Sequence, residues 1–142
     1  MRIAEIMTPE VELAAPGMSV REAASRMRDD HVGALPVGEN DRLVGMVTDR
    51  DIAIRCVAEG ADPASATVGD AMSERVYWCF EEEDDARAAE LMAEHQVHRL
   101  PVLNADKRLV GMVALADLAR GGSGAVHRAV EGVSKNTGQT RS

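Results

Sequence analysis

Aromatic residues are almost missing from this chain. One Trp, one Tyr and one Phe make up 2% of 142 residues, and all three fall within Tyr77-Trp78-Cys79-Phe80. The core must therefore rest on aliphatic and methionine side chains. Cysteine is equally scarce: Cys56 and Cys79 are too few for a disulfide framework, and read as two free thiols. No apolar run approaches the roughly 20 residues of a membrane span, and Met1-Arg2-Ile3-Ala4-Glu5 lacks the apolar stretch of a secretory signal. The expectation is a cytoplasmic protein with no membrane contact. Positive charge is in deficit, with 16 Lys and Arg against 24 Asp and Glu and a net charge of −8. That balance repels polyphosphate backbones and argues against nucleic-acid binding. No Gly-x-x-x-x-Gly-Lys-[Ser/Thr] loop, Gly-x-Ser-x-Gly elbow or His-Glu-x-x-His pair is present, so no catalytic residues are assigned and the chain is not expected to be an enzyme.

What the chain does contain, it contains twice. Leu35-Pro36-Val37, a loop, and Leu43-Val44-Gly45-Met46-Val47-Thr48-Asp49-Arg50-Asp51-Ile52-Ala53 return as Leu100-Pro101-Val102, a loop one residue longer, and Leu109-Val110-Gly111-Met112-Val113-Ala114-Leu115-Ala116-Asp117-Leu118-Ala119. Met7-Thr8 likewise returns as Met72-Ser73, and Met27 as Met92. An internal repeat outranks other signals. It divides the chain into a first repeat over 1–60, a linker over 61–66, a second repeat over 67–120 and a tail over 121–142. Repeats of about 60 residues are near the lower limit for an independent core, so the two are expected to form one body.

Each repeat reads as strand, helix, strand, strand, helix, an α+β (α/β-type) pattern. In the first, Val11-Glu12-Leu13 suggests a strand. Ser19 with Glu22 has capping-box spacing, and Val20, Ala23, Ala24, Met27 and His31 recur at helical spacing. Residues 34–37 and 43–48 are branched-residue strands joined by turn residues, and the following helix should stop near Gly60. In the second, Thr67 and Asp70 repeat the cap spacing, followed by a strand over 76–80, a helix over 85–95 and a hairpin of 100–102 with 109–113. The acidic run Glu81-Glu82-Glu83-Asp84-Asp85 suits a solvated helix start. Gly45 and Gly111 inside strands mark a close backbone approach. A short helix near 126–130 and disorder over 134–142 are expected in the tail.

A strand ending in Gly-Met-Val-Thr, two residues and then Asp at the head of a helix resembles the signature of cystathionine-β-synthase (CBS) domains, as do the Leu-Pro-Val strand and the Met-Thr-Pro opening. The resemblance covers about residues 1–120, in duplicate and in register. It implies two β-α-β-β-α repeats related by pseudo-twofold symmetry in one Bateman module. It also implies adenosine ligands such as AMP, ADP, ATP, NADH or S-adenosylmethionine, held in clefts shared by the repeats. The family's Asp holds the ribose and its hydroxyl residue lies near the phosphate, which carries Thr48, Asp51 and Asp117 over as ligand-binding residues. His98 and Arg99 align with the family's basic wall residues, and Val76 and Tyr77 with its base pocket. The resemblance implies that Thr48 and Asp51 face His98 and Arg99.

The chemistry of these residues is compatible. An ionised Asp only accepts hydrogen bonds, so Asp51 suits ribose hydroxyls. Backbone N–H groups at the helix start after Thr48 are expected to seat a phosphate. Thr-x-x-Asp is equally an ordinary capping box, and Arg99 could be a surface ion-pair residue. The second copy has Ala114 in place of the hydroxyl, which points to one well-equipped site. The competing functions are metal or redox sensing through Cys56, Cys79, His31, His95 or His98, and a structural dimer with vestigial sites. No metal site is assigned. A homodimer is expected, with the stripes Val20/Ala23/Ala24/Met27 and Ala88/Leu91/Met92 as its contact surface; the downstream protein partner is not legible.

Overall fold

Two β-hairpins carry the fold, each closed along one edge by a short segment from elsewhere in the chain. The computed structural model describes residues 1–121. The expectations for 126–130 and 134–142 lie outside the described residues. Chain compactness separates a continuous unit, Glu12–Val76, from a split unit, Met1–Val11 with Tyr77–Ser142.

In the continuous unit, α1 (Val20–Asp30) starts at Ser19, whose hydroxyl accepts from the Glu22 amide at 3.1 Å, and stops at His31 in a left-handed conformation. β2 (Ala34–Glu39) and β3 (Arg42–Thr48) pair antiparallel, Ala34 opposite Thr48. Asn40 and Asp41 both take positive φ at the turn between them, as a two-residue hairpin loop of this twist requires. α2 (Asp49–Ile52) runs into a π-helical turn, Ala53–Val57, and the chain leaves it near Gly60 at φ +75°. α3 (Val68–Ala71) starts at the expected Thr67/Asp70 box. Ala14, Val20, Ala23, Met27, Leu35, Val37, Val47, Cys56 and Val68 form its core.

The split unit repeats the plan. β1 (Thr8–Pro9), β4 (Cys79–Phe80), β5 (Arg99–Leu103) and β6 (Leu109–Ala114) form a sheet in the order β1-β6-β5-β4, with α4 (Asp85–His95) and α5 (Leu115–Gly121) beside them. Ile3, Cys79, Ala88, Leu91, Met92, Leu100, Val102, Val113 and Leu118 form its core. Asp84 caps α4 and Asp85 is its first residue, so the acidic run is a helix start, but Asp85 is buried rather than solvated; Glu83 Oε1 accepts from the Phe80 amide at 2.8 Å and Arg2 pairs with Glu82 at 2.8 Å.

The edge segments are exchanged relative to the repeats. Thr8 and Pro9, from the first repeat's opening, pair with Met112 and Gly111 of the second. Ser73, from the second repeat's opening, exchanges two backbone bonds with Met46 of the first, at 3.0 and 2.8 Å. The expected close approach at the strand glycines is this crossing.

Three expectations are corrected. Residues 11–13 form no strand, because Arg26 takes the carbonyls of Glu12 and Leu13, leaving a single bridge from Ala14 to Val37. The strand expected over 76–80 shrinks to Cys79–Phe80, since Tyr77 turns its ring onto His95 of α4. The helix stripes are interior rather than a surface for a second copy: Val20, Ala23, Met27, Ala88, Leu91 and Met92 pack into the two cores, and only Ala24 and His31 remain exposed.

A Cβ on Gly111 would lie 2.6 Å from the Thr8 carbonyl and 2.7 Å from the Met7 sulfur, and one on Gly45 2.8 Å from the Ser73 carbonyl. Backbone cannot yield as a side chain can. Gly111→Ala and Gly45→Ala should each destabilise by roughly 1–3 kcal/mol in urea unfolding, whereas Gly17→Ala, with open space around it, should change stability by less than about 1 kcal/mol. Equal midpoints for all three would contradict the crossing.

Candidate functional site

The corner where β3 becomes α2 is built by reciprocal bonds. Thr48 Oγ1 accepts from the Asp51 amide at 3.0 Å, and the Thr48 amide donates to Asp51 Oδ2 at 2.9 Å. Thr-x-x-Asp is therefore a complete capping box. It still leaves chemistry to spare: the Thr48 hydroxyl proton is not used by the cap, and Asp51 Oδ1 lies 3.8 Å from Arg55 Nη1, too far for a hydrogen bond. Asp51 is 17% exposed, enough for a ligand to reach.

The phosphate seat expected at this helix start is closed. The Asp49 amide donates to Gly33 O at 2.9 Å, the Arg50 amide to Asp49 Oδ1 at 2.8 Å and the Asp51 amide to Thr48. With Asp49 and Asp51 both in the first turn, the corner is an acceptor for hydroxyls and not an anion site.

The equivalent corner of the split unit has half a box. The Ala114 amide donates to Asp117 Oδ2 at 2.8 Å and the Leu115 amide to His98 O at 2.7 Å, but Ala114 has no hydroxyl. Asp117 is buried and its other oxygen takes Arg120 Nη2 at 2.5 Å. Arg99 stands opposite Ala114 in the β5–β6 ladder, and the Ala114 amide in turn bonds Asp117. Arg99 Nη1 is buried without a hydrogen-bond partner, as is Gln96 Oε1 three residues earlier. Buried polar atoms are rarely left so. Burial, and then the Arg99 charge, hold the His98 imidazole below its ordinary pKa. Tyr77 stacks on His95, centroids 3.6 Å apart and planes within 9°, so one face of the ring expected in the base pocket is covered. Val76 belongs to the continuous unit and Tyr77 to the split one.

Among the described residues, no three His, Cys, Asp or Glu side chains are grouped to hold a metal ion. Cys56 and Cys79 are both buried. Burial, with Glu83 adding to it, pushes the Cys79 thiol up to about 12, which leaves little thiolate for metal or redox chemistry. No helix among the described residues is long and apolar enough to cross a membrane.

The profile of the family described as "CBS domain" matches residues 3–57 and again 68–124. The chain belongs to the CBS-domain family. Among its relatives, the CBS domain-containing protein YhcV of Bacillus subtilis is 42% identical over 82% of each chain, and Hypoxic response protein 1 of Mycobacterium tuberculosis is 41% identical over 82% of this chain and 81% of its own. A crystal structure of Hypoxic Response Protein I with two coordinated zinc ions has a TM-score of 0.75 at 40% identity, covering 84% of this chain and 98% of that one. CBSX2 in complex with AMP has a TM-score of 0.75 at 27% identity, covering 84% and 94%. The CBS domain pair of MJ0100, in complex with 5-methylthioadenosine and S-adenosyl-L-methionine, has 0.74 at 26%, covering 84% and 94%.

Arg55, Arg120, Asp49 and Gln96 were not singled out from the sequence of this CBS pair. Charge spacing could have flagged the first two, as Asp51 and Arg55 are four residues apart and Asp117 and Arg120 three, distances at which helical side chains meet. The lowered His98 pKa has a stability consequence. Its imidazole takes a proton more readily unfolded than folded, so acidification below the ordinary histidine range, near 6.5, favours unfolding, and above that range the effect vanishes. The urea midpoint of the parent should fall more between pH 7.5 and pH 5 than that of His98→Gln; equal falls would contradict the lowered His98 pKa.

Proposed function

We propose that this CBS pair is a non-catalytic sensory module for an adenosine nucleotide of the AMP, ADP and ATP group. Asp51 accepts from the ribose hydroxyls, the Arg99 guanidinium donates to phosphate, and Thr48, His98, Asp117, Val76 and Tyr77 are further contacts. The reading is carried by the buried Nη1 of Arg99, which has no partner. A guanidinium N–H held away from water without an acceptor is costly, and a phosphate oxygen is its best partner. The complexes of CBSX2 with AMP and of MJ0100 with S-adenosyl-L-methionine support an adenosine ligand. Arg99 favours a phosphate-bearing one over S-adenosylmethionine, which lacks that anion, and leaves NADH as the second candidate.

Thermal unfolding with AMP, ADP, ATP, NADH, S-adenosylmethionine and adenosine tests this. At 100 times its dissociation constant a ligand stabilises the fold by about 2.7 kcal/mol. Asp51→Ala should weaken every adenosine ligand roughly tenfold or more, as expected for a lost charged hydrogen bond. Arg99→Ala should weaken AMP by a similar factor and leave adenosine unchanged. No shift with any ligand at millimolar concentration would reject the function, and an equal loss for adenosine would remove Arg99 from the phosphate.

We also propose a homodimer, twofold pairing being the commonest assembly of soluble chains. With the helix stripes interior, it draws on apolar side chains left outside, including Ile54 and Val57, 43% and 64% exposed. Light scattering should give about twice the 15.2 kDa of one chain, and the single-chain mass in Val57→Asp. A parent that scatters as one chain would contradict it.

A further inference from the structure

The guanidinium that stands beside Asp51 is itself clamped. Arg55 Nη1 lies 3.8 Å from Asp51 Oδ1 and donates to the carbonyls of Ala71 and Met72, both at 2.9 Å. Those carbonyls end α3, immediately before Ser73, whose backbone exchanges two bonds with Met46 in the middle of β3. Arg55 sits within the π-helical turn Ala53–Val57, and such turns recur at functional sites. In the second copy the position aligned with Arg55 is Gly121, and Asp117 is paired instead with Arg120, which is 73% exposed.

We propose that Arg55 is the positioning residue of the ribose acceptor, fixing Asp51 Oδ1 toward the ligand and joining its occupancy to the 71–73 segment. The proposal rests on the adenosine reading above. Oδ2 is tied to the Thr48 amide, and the Arg55 charge 3.8 Å from Oδ1 biases the remaining freedom of the carboxylate electrostatically. A ribose hydroxyl donating to Oδ1 approaches the oxygen that Arg55 faces, so ligand and guanidinium share one acceptor and each responds to the other. Because the same nitrogen serves Ala71 and Met72, a response of Arg55 reaches the Ser73–Met46 pairing directly.

The experiment compares parent, Arg55→Ala and Arg55→Lys by calorimetric titration with AMP and with 2′,3′-dideoxy-AMP, and by amide hydrogen exchange at Met46 and Ser73. The parent should prefer AMP by about tenfold, the worth of a hydrogen bond to a charged group. Arg55→Ala should lose most of that preference while keeping its affinity for the dideoxy ligand, and Arg55→Lys, which keeps the charge without the planar fork, should fall between. AMP should slow exchange at Met46 and Ser73 in the parent and not in Arg55→Ala. A preference unchanged by substitution, or an equal loss for both ligands, overturns the proposal while the adenosine reading stands. If Arg55→Ala does not fold, the ratio in Arg55→Lys decides by the same criterion. A parent that binds AMP without preferring it to the dideoxy form overturns the proposal as well. If the parent binds neither ligand, the adenosine reading fails by itself. Ligand-free exchange then decides the tie to 71–73: faster exchange at Ser73 in Arg55→Lys upholds it, and an unchanged rate overturns it.

Discussion

Each hairpin depends on a backbone crossing at a strand glycine. Met7-Thr8 lies over Gly111 and Met72-Ser73 over Gly45, with carbonyls so near that no Cβ fits between. The crossing does three things together. It covers an edge that would otherwise present unpaired N–H and C=O groups. It places a flexible methionine against each strand glycine. It also commits the opening of each repeat to the hairpin of the other, so that a duplicated sequence yields two packing units that are not its two repeats.

From those crossings the corners follow. β3 and β6 run from their glycines to ends fixed by one conserved backbone bond: the first amide of the next helix donates to Gly33 O in one copy and to His98 O in the other. The backbone frame is thus the same, and the side chains differ. One corner has Thr48, Asp49 and Asp51, a full capping box and a clamped arginine. Its partner has Ala114, Leu115 and a buried Asp117, beside a strand that opens with His98 and Arg99.

Much of this was legible locally. Cap spacings at Ser19, Thr48 and Thr67, the branched strands, the turn residues between β2 and β3 and the in-strand glycines all speak through neighbours a few residues away, and all of them stand in the structure. The exchange of edge segments was not legible, because Met7-Thr8 and Met72-Ser73 are near copies and either glycine could receive either one. The expected strand at Val11–Leu13 satisfied periodicity, but a guanidinium from Arg26 claimed its carbonyls. The phosphate seat failed for a similar reason: orphan amides at a helix start were assumed open, while Gly33, Asp49 and Thr48 had already supplied acceptors. Periodicity likewise could not tell a stripe facing its own core from one facing a second copy. Family resemblance singled out Arg99, but only the folded structure reveals that its buried Nη1 has no partner.

The central proposal is that an adenosine nucleotide takes contacts from Thr48 and Asp51 and from Arg99, whose buried Nη1 has no partner. Titration of AMP into isotope-labelled protein, followed by nuclear magnetic resonance, tests it most directly. The amides of Thr48 and Asp51 and the side chain of Arg99 should shift along one saturating curve with a common dissociation constant. Shifts confined to other residues, or curves for Asp51 and Arg99 with different constants, would contradict the account.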